Sequence, residues 1–172
     1  SLGDYYGSAY AYAYRGDTKR LNGEMGIHWY QKAADKGDHI ATLNMAIMYV
    51  AGLLVPKDVP KAMALLRPLA EKGIPSAQSR LGQIYQHEEP KDLSKAYFWL
   101  TLGRTYNESE DFLRDLSPLI PQDERTRTEA KAAAWRRACA EQGNSMNQFS
   151  LGDMYEHGVG VPKDLSQAYF WY

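Results

Sequence analysis

A ten-residue phrase occurs twice in this chain. Lys91-Asp92-Leu93-Ser94-Lys95-Ala96-Tyr97-Phe98-Trp99-Leu100 returns as Lys163-Asp164-Leu165-Ser166-Gln167-Ala168-Tyr169-Phe170-Trp171-Tyr172, with two positions changed. Repetition of this quality implies one structural unit stacked on copies of itself. The spacing of other landmarks extends it. Tyr14, Tyr49, Tyr85 and Tyr155 are separated by 35, 36 and 70 residues, so a degenerate unit is expected in the last gap. Each tyrosine is followed 14 to 16 residues later by a large apolar residue: Trp29, Leu65, Trp99 and Trp171. Trp29 to Gly37, Leu65 to Gly73 and Trp135 to Gly143 each span 8 residues, and each of these glycines precedes Tyr49, Tyr85 or Tyr155 by 12.

Each unit reads as a pair of helices. The first carries Ala41, Met45, Tyr49; Ala77, Leu81, Tyr85; or Asn147, Leu151, Tyr155 at i, i+4 and i+8, hence on one face. A small residue after the middle position (Ala46, Gly82, Gly152) lets a neighbouring helix approach closely. A glycine inside a helix costs about 1 kcal/mol, which packing must offset. Pro56, Pro90 and Pro162 each precede Lys-Asp, and Asp58, Asp92 and Asp164 are placed to cap the second helix by accepting from its free N–H groups. Gly37, Gly73 and Gly143 then suit a left-handed helix end. Ser8 to Tyr14 alternates Ala and Tyr, but Tyr6, Tyr10 and Tyr14 are also at i, i+4 spacing, so helix is expected there.

Composition narrows the function. The 172 residues suffice for one domain with a substantial core. Net charge is -1, from 20 basic and 21 acidic residues, which leaves no basic surplus for a phosphate backbone. The single Cys139 excludes an intrachain disulfide framework and a cysteine-based zinc site, and a buried filler is expected of it. The longest apolar run, Ile40 to Val55, is broken by Thr42 and Asn44 and stops short of the ~20 residues that cross a membrane. The chain starts at Ser1 without Met and stops within the repeated phrase, so an excerpt of a longer protein is expected.

The repeat resembles the Sel-one-like repeat, a relative of the tetratricopeptide repeat. The residues carrying the resemblance are Leu151-Gly152, Tyr155, Gly158-Val159-Gly160-Val161, Asp164, Ala168 and Trp171-Tyr172 in the last unit, and Trp29-Tyr30-Gln31-Lys32-Ala33-Ala34-Asp35-Lys36-Gly37 in the first. Three departures stand out. Glu88-Glu89 replaces the glycine loop of the third unit, Asn22-Gly23-Glu24-Met25 replaces the Pro-Lys-Asp cap of the first, and the fourth keeps only its tail, Trp135 to Gly143. The resemblance implies an all-α, right-handed α/α solenoid of four to five helix pairs forming one domain. Its units are residues 1–37, 38–73, 74–106, 107–143 (degenerate) and 144–172 (truncated). In the degenerate unit, 111–116 reads as a short amphipathic helix, 117–121 as a turn and 122–141 as a long helix.

No catalytic constellation is apparent in the sequence. His87 and His157 occupy the same place two units apart, too far for a shared metal, and no His pair at i, i+4 with an acid exists. No Gly-x-Ser-x-Gly elbow or phosphate-cradling loop is present. No enzyme, cofactor, metal or nucleic-acid partner is expected. The resemblance implies instead a scaffold or adaptor that binds a protein helix or extended segment in a concave groove lined by the first helices. Carried over by position, the groove residues are Ser8, Tyr12 and Arg15; Leu43, Ile47, Val50 and Ala51; Ser79, Gln83, Gln86 and His87; and Phe149, Asp153, Glu156 and His157. Leu43 and Ile47 would serve equally well for packing on a neighbouring helix. Family members also include immunity proteins that neutralise a toxic effector enzyme, which is the alternative function. A bacterial periplasmic or envelope location is expected on the same resemblance, with the cytoplasm as the other possibility.

Overall fold

The computed structural model describes residues 18–104 and 108–172; the regular elements among these are all helices, with no strand among them. The helices are α1 (Thr18–Ala34), α2 (His39–Ala51), α3 (Val59–Glu71), α4 (Pro75–His87), α5 (Leu93–Leu102), α6 (Glu108–Leu116), α7 (Gln122–Glu141), α8 (Ser145–His157) and α9 (Leu165–Trp171). The expected helix over 8–14 lies outside the described residues. The chain divides into two compact units, Ser1–Leu69 and Ala70–Tyr172, the boundary falling within α3.

The helix ends follow the repeat chemistry. Asp58 accepts from the Lys61 N–H at 2.9 Å, Asp92 from Lys95 at 2.9 Å, and Asp164 from Ser166 and Gln167 at 2.9 and 3.0 Å. These are the three caps expected at Pro-Lys-Asp. Two more were not read from the spacing: Asp38 caps α2 through Ile40 and Ala41, and Asn144 caps α8 through Asn147. Gly37, Gly73 and Gly143 have φ of 89°, 88° and 83°, so the left-handed endings are present. Two glutamines at one register add a tie: Gln78 Nε2 donates to the Ala70 carbonyl and Gln148 Nε2 to that of Ala140, at 3.0 and 3.1 Å.

Replacing Asp92 by Ala is expected to lower stability by about 1 kcal/mol, because α5 loses the acceptor for a first-turn N–H. The Lys95 ammonium and backbone N–H hold the Asp92 carboxyl below its usual range. A depressed folded-state pKa stabilises the fold above the ordinary carboxylate range, and that share is lost as pH falls through the lowered value. Urea titration of wild type and Asp92→Ala at neutral and acidic pH checks both: the difference should shrink in acid.

In the first unit α1 packs on α2. α1 runs without a break through Asn22-Gly23-Glu24-Met25, so the departure from the capping motif coincides with continuous helix in place of a turn. Trp29 is 60 % exposed, unlike Trp99 at 9 %. α2 buries Ala41, Met45, Ala46, Tyr49 and Val50, and the Lys61 ammonium lies 4.4 Å from the Tyr49 ring centre.

The second unit is built around α5, against which α4, α6 and α7 pack; α8 lies on α7 and α9 on α8. The irregular segment folds as its sequence suggests: α6, a 3-10 turn over Ser117–Leu119, then α7. Its Leu113, Leu116 and Ile120 close over Ala96, Tyr97 and Leu100 of α5, with Phe112, Tyr85 and Leu93 at the edge. A second cluster joins Ala140, Leu151, Tyr155 and Ala168, flanked by Val161 and Trp171. The small residues act as anticipated. A Cβ on Gly82 would lie 2.6 Å from Leu100 Cγ, and one on Gly152 would lie 3.1 Å from the Ala168 carbonyl oxygen.

Candidate functional site

The expected contact residues lie on the first helix of each pair, so the site is built helix by helix. On α2, Leu43 and Ile47 are half-buried, as is Ala51, whereas Val50 is 6 % exposed and belongs to the core. Ser8, Tyr12 and Arg15 lie outside the described residues. On α4 the expected contact row divides. Ser79 and Gln83 are buried at 0 and 1 %, and Gln83 bonds within the fold, donating to Ser79 Oγ at 3.3 Å and accepting from Arg80 at 3.1 Å. Gln83 and Val50 therefore present almost no side-chain surface. Gln86 is half-buried, with its Oε1 enclosed and unbonded. His87 is exposed and meets the Phe112 ring edge-on at 6.0 Å. Partial desolvation, assisted by the Lys91 charge, pushes its pKa below the ordinary imidazole value.

α8 brings several candidates together. Leu151 and Tyr155 face the core, while Phe149 is 55 % exposed and Asp153 and Glu156 are half-buried. The Tyr172 ring lies 5.2 Å from that of Phe149, and its hydroxyl donates to the Glu156 carboxylate. That hydrogen bond raises the Tyr172 pKa to about 12. His157 Nδ1 lies 3.1 Å from Asp153 Oδ1. The result is an exposed aromatic pair bordered by two carboxylates and an imidazole. Such a surface can grip a polypeptide by apolar contact and fix its register by charge.

One polar centre escaped the sequence reading. Arg136, which stands where the first unit has Tyr30, is 1 % exposed. Its guanidinium donates to Asn147 Oδ1 at 2.9 Å, to Gln78 Oε1 at 3.4 Å and to the Leu102 carbonyl. Burial pulls its pKa down to about 10, with the Asp153 charge acting in the opposite sense, so it stays a cation at neutral pH. Arg136 thus ties α4, α5, α7 and α8 from within. Its only sequence signal was an arginine at a position where the other units have Tyr30, Leu66, Leu100 and Tyr172. Cys139, one turn on, is half-buried, and burial raises its pKa.

Among the described residues no group of three or more His, Cys, Asp or Glu side chains is placed to hold a metal, and no helix is long and apolar enough to cross a membrane.

Capped, glycine-terminated helix pairs repeated along the chain define a helical-repeat protein of the solenoid class. The chain belongs to the Sel1 repeat family, whose profile matches residues 4–38, 39–74, 75–103 and 148–172 and leaves the irregular segment unmatched. Among curated proteins it is 25 % identical over 176 residues to the chitin synthase regulator SKT5 of Malassezia restricta, covering 88 % of this chain and 12 % of that protein. It is also 25 % identical over 176 residues to chitin synthase regulatory factor 3 of Schizosaccharomyces pombe, covering 90 % and 18 % respectively. The chain thus spans less than a fifth of the length of these two relatives. A solved structure of a protective antigen of uropathogenic Escherichia coli displaying an SLR fold superposes with a TM-score of 0.50 at 29 % identity, over 84 % of this chain and 32 % of that one.

Proposed function

We propose that this chain is a non-catalytic scaffold or adaptor that holds a protein partner on the contact rows of its first helices. Sel1 repeats mediate protein interactions, and two of the relatives are named as regulators of another protein, an enzyme. The observation that carries the reading is on α8. Leu151 and Tyr155 hold the helix in the core while Phe149, two residues before Leu151, stays 55 % exposed beside the Glu156 and Asp153 carboxylates. An isolated exposed aromatic is ordinary. One in tilted contact with a second aromatic and bordered by charge has the make-up of an interface anchor. In the first unit the half-buried Leu43 and Ile47 on α2 are the apolar counterpart. Of the residues expected from the repeat register, the proposal keeps Leu43, Ile47, Gln86, His87, Phe149, Asp153 and Glu156, adds Tyr172, and leaves Tyr12 and Arg15 as proposed contacts.

Affinity capture with the full-length protein from its native organism supplies the partner, and two variants test the surface. Phe149→Ala and, separately, Leu43→Asp with Ile47→Asp are expected to weaken partner binding by about tenfold or more, with helicity retained by circular dichroism. Unchanged affinity in both folded variants removes these rows from the interface. Capture of a single secreted enzyme whose activity falls on mixing would shift the function to toxin neutralisation. A bacterial envelope location belongs to the same proposal, and fractionation of the native cell tests it.

A further inference from the structure

One junction in the second unit joins segments that repeat stacking alone would keep apart. In a stack of helix pairs each pair touches only its neighbours. Here the Asn144 side-chain amide, at the start of α8, donates at 2.9 Å to the carbonyl of Lys72, 72 residues back and just before α4. That separation is two repeat lengths. Beside it, a Cβ on Gly73 would lie 2.5 Å from Asn147 Nδ2, so the start of α8 rests on the bare glycine of that turn. The first helix of the irregular segment does not intervene at this point: α6 has 9 residues where α4 and α8 have 13, and it packs mostly on α5.

The polar residues of the junction replace apolar ones elsewhere in the repeat. Arg136 stands where the other units have Tyr30, Leu66, Leu100 and Tyr172, and Asn147 stands where they have Ala41 and Ala77. The two replacements meet. Arg136 donates to Asn147 Oδ1 at 2.9 Å, to Gln78 Oε1 on α4 at 3.4 Å and to the Leu102 carbonyl at the end of α5. Gln78, Arg136 and Asn147 are all fully buried, so water does not stand in for a lost partner while the helices stay together. No division of these helices leaves the junction whole. Parting α8 from α7 breaks the bonds of Asn147 and Lys72. Parting α7 from α5 breaks those of Leu102 and Gln78.

We propose that this junction is a latch that locks the last helix pair to the pair two repeat lengths before it, so that α4, α5, α7 and α8 open and close as one body. It adds a second route of coupling to the packing of neighbour on neighbour. Whatever steadies α8 then steadies α5 as well. The latch is internal and does not depend on the surface proposed for partner binding.

The test is native-state hydrogen exchange of the whole chain in low urea, which reads the opening of each helix separately. In wild type the best-protected amides of α5 and α8 are expected to open with the same urea dependence and within about tenfold of one another. Asn144→Asp keeps the oxygen that caps α8 and removes the donor to Lys72. It is expected to speed exchange in α5 by the same factor as in α8, about threefold to tenfold, although α5 takes no part in the altered bond. Arg136→Met should separate the two helices, with α8 opening about tenfold or more faster than α5. A wild type in which α8 already opens more than about tenfold faster than α5 overturns the proposal. So does an Asn144→Asp effect that is absent or confined to α8. Coincident opening in a folded Arg136→Met would place the coupling in apolar packing and overturn the latch. Should that variant fail to fold, wild type and Asn144→Asp decide between the outcomes.

Discussion

Arg136→Ala is expected to lower the stability of the second unit by about 3–5 kcal/mol, well above the effect of losing a helix cap. Two losses combine. The Leu102 carbonyl, Gln78 Oε1 and Asn147 Oδ1 lose their shared donor inside the protein, and a buried acceptor without a partner costs about 1–3 kcal/mol. The departing side chain, 1 % exposed, leaves a cavity. Against this stands the desolvation of the guanidinium, seen in its pKa of about 10, which the variant no longer bears. Because the acceptors come from different helices, they cannot regroup around one new partner. Arg136→Met, which refills much of the volume without a donor, should recover part of the loss. Urea denaturation followed by tryptophan fluorescence reads both. A loss below about 1 kcal/mol for Arg136→Ala would mean that water replaces the guanidinium at little cost.

Gly82→Ala is expected to destabilise by about 1–3 kcal/mol, even though alanine favours a helix over glycine by about 1 kcal/mol. The added Cβ would stand 2.6 Å from Leu100 Cγ and 3.0 Å from the Leu100 backbone nitrogen. The leucine can turn, but the backbone nitrogen can yield only if α5 withdraws from α4. Ala46 occupies the same repeat position in the first unit and is buried there at 1 %, so the residue type is compatible with the repeat in general. Ala46→Gly should therefore cost about 1 kcal/mol through helix propensity alone, making the two reciprocal substitutions unfavourable for different reasons. Gly152→Ala should cost somewhat less than Gly82→Ala, because the Tyr172 ring at 2.9 Å can turn by giving up its bond to Glu156, although the Ala168 carbonyl oxygen at 3.1 Å is backbone and stays in place. Thermal melts of the three variants give the order. A stabilised Gly82→Ala would show that α4 and α5 have slack at their crossing.

The residues of the repeat that do their work locally were readable from the sequence. Asp58, Asp92 and Asp164 cap helices, and Gly37, Gly73 and Gly143 end them, because a cap needs only the next three residues and a left-handed end needs only its own φ. The irregular segment was readable for the same reason: an amphipathic run, Ser-Pro, then a long polar helix. The exposure of the expected contact row was readable only in part. Phe149 and His157 face outward as the register predicts, but Gln83 at the matching place on α4 is enclosed and hydrogen-bonded to Ser79 and Arg80. Register assigns a side of a helix; whether that side is wet depends on what else packs there.

The duplicated phrase separates the two kinds of information most clearly. By itself the sequence determined that both copies begin with a capping aspartate, run as a helix and bury their alanine, since each of these follows from contacts within one unit. Only the tertiary structure decided that Tyr97 is enclosed and bonded to Glu129 while Tyr169, the same letter in the same phrase, is 86 % exposed. Likewise it decided that Arg136 is a buried tie and not a surface charge. The physical reason is common to both. Burial and hydrogen-bond partnership are supplied by neighbours tens of residues away, residues 113–129 for Tyr97 and Gln78 with Leu102 for Arg136. A repeat motif specifies the residue that offers a contact and carries no information on the residue that meets it.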